Sequence, residues 1–191
     1  MSKWYATDMK NPWKTLSSEY VHENPWFKVR HDKLVRPDGD PGEYYVIEGR
    51  GGAFIIALDE QERITLVRQT RYANATDSWE VPAGGIDHNE QPLVTAKREL
   101  AEETGLQAKH WKKLGKLQSN GSSSAFLHIY LATGLSKSSG NAQAQEGITE
   151  MDTFTAPEVV AMIQGGKITD SQTLAALLLH IASQSPVGAN A

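Results

Sequence analysis

Three glutamates, Glu99, Glu102 and Glu103, have the spacing in this chain that most directly suggests chemistry. On a helix, at about 100° per residue, they share an arc of about 100°. Glu99 and Glu103 are then an unfavourable i, i+4 pair of like charges. Glu102 and Glu103 also stand near the helix end, where backbone dipoles disfavour negative charge. A hard divalent cation reverses each of these penalties, because Mg²⁺ and Mn²⁺ prefer carboxylate oxygens. The competing reading is a plain solvated helix face. The cluster borders an apolar stripe of Leu93, Ala96 and Leu100, so it is expected to line a cleft.

The surroundings decide between the two. From Gly84 to Leu106 the chain reads GGIDHNEQPLVTAKRELAEETGL. This resembles the Nudix box, G-x5-E-x7-R-E-U-x-E-E-x-G-U with U a bulky apolar residue. Gly84, Glu90, Arg98, Glu99, Leu100, Glu102, Glu103, Gly105 and Leu106 fill every fixed position. A chance match in a chain of this length is expected on the order of once in 10⁷. The resemblance implies a divalent-metal-dependent hydrolase with Mg²⁺ or Mn²⁺ held by Glu99, Glu102, Glu103 and the backbone carbonyl of Ala83. Arg98 would hold a carboxylate in place, and Glu90 would aid the metal site or orient the helix start. Bound cations neutralise a diphosphate and activate a water for attack at phosphorus, so no covalent nucleophile is needed.

A second stretch narrows the substrate. Gln69-Thr70-Arg71-Tyr72 and Trp79-Glu80-Val81-Pro82-Ala83-Gly84-Gly85 resemble a segment of ADP-ribose and nucleoside-diphosphate-sugar pyrophosphatases. Hydrolysis to a nucleoside monophosphate and a sugar phosphate is what that implies. Arg71 would hold a phosphate through its fork of donors. Glu80 would orient substrate or metal, or else belong to the core. Related enzymes take a further Glu from a downstream loop as base; Glu146 fits its E-x-I pattern best and Glu150 second. Members of the group commonly carry an acidic pair before the following strand. Ser119–Ala125 has none, which leaves the sugar open. Other nucleotide substrates, such as a dinucleoside polyphosphate or a triphosphate, and a non-catalytic sensing domain are the alternatives. Isopentenyl diphosphate isomerases share the fold but use a cysteine, and this chain has none.

Several elements must position these residues. Asn89 or Glu90 caps the box helix, Pro92 suits its first turn, and Gly105 its left-handed end. Pro82–Gly85 reads as a loop after a Trp79–Val81 strand. Upstream, Phe27–His31 and Tyr44–Ile47 read as short strands flanking a Pro/Gly-rich turn. Ala53–Leu58 and Ile64–Gln69 read as a hairpin. Downstream come a strand at Ala125–Ala132 and a mobile Ser136–Gln145 loop. Thr155 and Glu158 have capping-box spacing before a helix ending at Gly165-Gly166. The last helix, about Ser171–Ser183, carries Leu174, Leu177, Leu178 and Ile181 on one face. Strands and helices mix without regular alternation, giving an α+β class. The expected fold is a Nudix-type α/β/α sandwich with a mixed sheet and a small N-terminal β extension.

The 191 residues, 39% hydrophobic and 22% charged, suit a globular chain with a real core. We divide them into an N-terminal extension (1–48), a hydrolase domain (49–185) and a flexible tail (186–191). The absence of cysteine excludes disulfides, thiolate zinc sites and a cysteine nucleophile. A net charge of −4 without basic runs argues against nucleic acid. No stretch approaches the ~18 apolar residues of a membrane span, and Met1–Leu16 has no signal-peptide core. A cytoplasmic enzyme acting on a small nucleoside diphosphate derivative is expected. The resemblance further implies a homodimer, to which the aromatic residues Trp4, Trp13, Trp26 and Phe27 would contribute.

Overall fold

A computed structural model describes residues 11–138 and 147–184. Two compact units divide the chain between Gly49 and Arg50, with 120–125 belonging to the first.

The first unit is an antiparallel sheet in the order β1-β2-β3, built from β1 (Lys14–Glu23), β2 (Phe27–Val35) and β3 (Pro41–Gly49). Asn24 makes the first turn: its Oδ1 accepts the N–H groups of Trp26 and Phe27, both at 2.9 Å. The second turn places Gly39 at φ +93°, where a side chain is strained. Segment 120–125 serves the outer edge of β3, with Ile47 N–H donating to Ser122 O at 2.8 Å. Strand β1 has no counterpart in the sequence reading. It is exposed along its whole length, so no apolar alternation marks it. Trp13, Leu16, Tyr20, Val21, Trp26 and Tyr45 are all exposed.

The second unit holds β4 (Gly52–Ala57), β5 (Ile64–Arg71), β6 (Thr76–Glu80), β7 (Ala83–Gly85), α1 (Pro92–Thr104), β8 (Leu106–Gln118), β9 (Phe126–Lys137), β10 (Ile148–Phe154), α2 (Ala156–Gln164) and α3 (Ser171–Gln184). One sheet is mixed, β7-β4-β9-β8, with β4 parallel to β9; the other is β10-β5-β6. Every residue of β4 is buried. Its Ala53, Ile55 and Ala57 face Ala96 and Leu100 of α1. Its Phe54 and Ile56 join Leu66, Ile129, Val159 and Leu177 in the larger core. The small alanines on both sides let α1 lie close to the sheet.

Several expectations need correction. Ala53–Leu58 and Ile64–Gln69 do not form a hairpin. One bridge, Leu58 to Ile64, joins them before the chain crosses to the other sheet. Their uniform apolarity reflects burial on both faces of β4, not mutual pairing. Pro82–Gly85 is not all loop, because Ala83–Gly85 pairs with β4 as β7. Gln91, not Asn89 or Glu90, occupies the N-cap of α1 and makes no side-chain cap bond. The inward face of α3 is turned by one position: Thr173, Ala176, Leu177 and His180 are buried while Leu178 and Ile181 are exposed. Strand β8, the longest with 13 residues, was not foreseen. Ser136 and Lys137 belong to β9, and after Ser138 the rest of the expected loop, 139–145, lies outside the described residues. The Thr155–Glu158 capping box is present in both its hydrogen bonds. Among the described residues no helix is long and apolar enough to cross a membrane.

Candidate active site

Helix α1 begins with Pro92 in its first turn and ends at Gly105, whose φ of +67° lets its N–H reach back to Ala101 O at 2.9 Å. Between these ends the helix buries more than its apolar stripe. Glu99 is 7% and Glu103 2% exposed, so neither carboxylate belongs to a solvated face. Each meets the β7 backbone. Ala83 N–H donates to Glu103 Oε2 at 2.9 Å. Gly84 lies so close to Glu99 that a Cβ there would stand 2.0 Å from the carboxylate carbon.

Arg98 ties the remaining charges together. Its Nη1 lies 2.6 Å from Glu99 Oε1 and 3.0 Å from Glu102 Oε2. Its Nη2 reaches Glu90 Oε2 at 3.1 Å and the Gly85 carbonyl at 3.2 Å. Glu90 also accepts from Thr95 Oγ1 at 2.8 Å and from Asp87 N–H at 3.2 Å. Hydrogen bonding from Arg98, above all, holds the Glu90 carboxyl down at about 2. The same bonds raise the Arg98 guanidinium above its usual range. Two carboxylates thus converge on one cationic nitrogen, the placement a hard cation would exploit. Glu103 turns to Ala83 instead, and among the described residues no three Asp, Glu or His side chains form a ligating group.

Beside this cluster, Arg71 grips Glu80. Nε donates to Oε1 at 3.2 Å and Nη2 donates to Oε2. This engages the Nε–Nη2 edge of a guanidinium whose side chain is still 45% exposed. Glu80 is 3% exposed; burial pushes its carboxyl up, against the pull of Arg71. The pair lines a polar cavity of about 230 Å³ with Thr76, Ser78 and Asp170. Glu150 stands elsewhere, 2.5 Å from Arg68. Glu146 lies outside the described residues.

Comparison with known proteins gives two family matches. Residues 49–177 match the NUDIX domain, and residues 13–47 match the nucleoside diphosphate sugar hydrolase N-terminal domain. The chain belongs to the Nudix family. Among relatives of this Nudix protein, an ADP-ribose pyrophosphatase of Mycobacterium tuberculosis is 35% identical over 88% of this chain and 83% of its own. A GDP-mannose pyrophosphatase of Citrobacter koseri is 27% identical over 88% of this chain and 96% of its own. The crystal structure of an ADP compounds hydrolase superposes with a TM-score of 0.79 at 20% identity, covering 92% and 96% of the two chains. That likeness establishes the Nudix fold, an α+β arrangement with a mixed sheet.

The Nudix box residues Gly84, Glu90, Arg98, Glu99, Glu102 and Glu103 stand together, and Gly105 ends their helix. Arg71 and Glu80 form a pair of their own. Sequence reading missed Thr95, which is fully buried and orients Glu90. A threonine on the inward side of a helix was the available signal. The spacing alone did not show that Arg98 hydrogen-bonds three carboxylates rather than one.

Proposed function

We propose that this Nudix protein hydrolyses the pyrophosphate bond of a nucleoside diphosphate linked to a sugar, with ADP-ribose the first candidate. The observation that carries the reading is the burial of Glu99 and Glu103 against the Gly84–Ala83 backbone. Carboxylate oxygens held out of water against fixed backbone, with Glu102 on the same helix, suit Mg²⁺ or Mn²⁺. Glu99, Glu102, Glu103 and the Ala83 carbonyl are the donors we assign to it. When bound, the cation would neutralise the diphosphate and acidify a water.

The chain's own residues supply the rest. Arg98 aligns Glu99 and Glu102 and anchors both to Glu90. Glu80 orients Arg71, whose outer edge is then available to one phosphate of the substrate. We assign the proton-accepting role to Glu146, on its E-x-I pattern and on the engagement of Glu150 by Arg68. The N-terminal match to the sugar-hydrolase group supports the substrate class. The names of the two relatives point the same way. We further infer a cytoplasmic homodimer, supported by the exposed aromatic residues of the first unit, such as Trp26 at 74% exposure. Light scattering giving a monomer mass at micromolar concentration would refute the dimer.

The test is a product assay with ADP-ribose, ADP-glucose, GDP-mannose and a diadenosine polyphosphate. Activity is expected with Mg²⁺ or Mn²⁺, is lost in EDTA and returns on adding metal. A nucleoside monophosphate and a sugar phosphate are the expected products, with ¹⁸O from water marking the attacked phosphorus. Full activity in chelated protein would overturn the mechanism, and turnover of the diadenosine compound alone would overturn the substrate class.

A further inference from the structure

Chain from far downstream closes the free edge of β6. Trp79 N–H donates to Lys167 O at 2.9 Å, and Thr169 N–H donates to Ser78 Oγ at 3.1 Å. At the next outward-facing position the acceptor changes from backbone to side chain. Val81 N–H donates to Thr173 Oγ1 at 3.3 Å, across 92 positions of sequence. Thr173 is 1% exposed in the first turn of α3. Its own N–H donates to Asp170 Oδ2 at 2.6 Å, and Leu174 N–H donates to Asp170 O at 3.0 Å. Asp170 therefore caps the helix, and the turn that presents the hydroxyl is itself pinned.

Val81 joins the two halves of the site. On one side Glu80 grips Arg71. On the other, Pro82 O accepts from Ile55 N–H at 2.9 Å, and Ala83 N–H reaches Glu103. Val81 is 1% exposed, so its N–H has no water to turn to, and a buried N–H without a partner is costly. A threonine hydroxyl within a helix commonly returns to a carbonyl of its own preceding turn. The Thr173 oxygen, in addition, accepts from the end of another strand.

We propose that Thr173 is a positioning residue for the metal site, its hydroxyl fixing the Val81–Ala83 backbone and so the place of Ala83 beside Glu103. The inference rests on the metal reading given above. Thr173 touches neither substrate nor cation; it acts through Val81. Groups that orient metal ligands from behind typically change affinity by about 10–100-fold when removed. A backbone relay belongs at the lower end of that range.

The experiment titrates Mn²⁺ into metal-free protein by calorimetry, with the unfolding midpoint measured alongside. Thr173→Val keeps the shape and removes the acceptor; it is expected to raise the Mn²⁺ Kd about tenfold. Thr173→Ser keeps the hydroxyl and is expected to stay within about twofold of the parent. A Kd within twofold for Thr173→Val overturns the proposal, even if the variant unfolds more easily. Equal loss in Thr173→Ser overturns it too, by assigning the effect to the methyl group. Should Thr173→Val not fold, Asp170→Ala loosens the same turn and is expected to raise Kd about threefold, while Asp170→Asn, which still caps, does not. An unchanged Kd in Asp170→Ala then rejects the relay. Glu103→Gln is the control: if it leaves Mn²⁺ binding intact, the metal reading itself has failed, and if it alone weakens binding, only the role of Thr173 has.

Discussion

Among the described residues of the second unit, two arginines each bridge carboxylates, and only one of the clusters resembles a reaction centre. Arg98 joins Glu90, Glu99 and Glu102 at the foot of α1, where the Glu90 and Glu99 side chains are 13% and 9% exposed. Arg68 joins Asp77 and Glu150 across β6 and β10, at 2.5 Å each, with both acids more than a third exposed. The second cluster even lines a cleft of about 910 Å³. Ion pairing and an adjoining cleft are therefore not enough to mark a reaction centre. Burial against fixed backbone does, because a charge out of water responds strongly to what is placed beside it.

The largest effect that separates the clusters is catalytic. Glu103→Gln or Glu102→Gln is expected to lower kcat by roughly 10²–10⁵, since charge is lost from the proposed metal donors. Glu150→Gln is expected to stay within a few-fold. A loss in Glu150→Gln as large as that in Glu103→Gln would erase the distinction and move the base from Glu146 to Glu150.

Stability gives the next contrast. Arg98→Ala leaves three carboxylates, two of them well buried, without their countercharge. It is expected to cost about 2–4 kcal/mol in denaturant unfolding of the metal-free protein. Arg68→Ala removes a surface network and should leave the unfolding midpoint nearly unchanged. Added Mn²⁺ should recover part of the Arg98→Ala loss and none of any Arg68→Ala loss. Equal costs in the two variants would contradict the role given to burial.

The smallest effect is in pH. The Glu90 carboxyl is held from 4.5 down to about 2, first by its hydrogen bond from Arg98. A depressed folded value stabilises fully above the unfolded value and is lost as pH falls through the folded one. The contribution is thus complete above pH 4.5 and disappears towards pH 2. After allowance for solvent screening it is on the order of 1–2 kcal/mol. Urea unfolding of Glu90→Gln should show a correspondingly weaker acid dependence between those limits. An unchanged pH slope would mean that Glu90 is not held by Arg98 in solution.

The same contrast marks what the sequence made legible. Helix α1 was readable because Pro92, Gly105 and an apolar stripe are local signals, and α2 because Thr155 and Glu158 sit three apart. The box carboxylates came with α1. Strand β8 was hidden because Lys109, Lys112, Lys113 and Lys116 break its alternation, as lysines often do at an exposed sheet edge. The parallel partner of β4 is β9, about 75 residues downstream, and no local pattern encodes that choice. The inward face of α3 depends on its neighbours, with Leu179 pressed so closely on Gly115 of β8 that a Cβ there would stand 2.6 Å from it. The burial of Glu80 follows equally from chain that arrives at its strand from positions 167–173.

Gly84 and Gly85 look interchangeable on paper. Around Gly85 a Cβ would meet nothing within 4 Å, while at Gly84 it would fall inside the Glu99 carboxylate. Gly84 shows no positive φ, so its necessity is one of room and not of backbone freedom. Even a single methyl group there would evict the carboxylate from its resting place. The two positions, fifteen apart in the chain, are therefore one steric unit: the space that Gly84 leaves empty is the space that the Glu99 carboxylate fills.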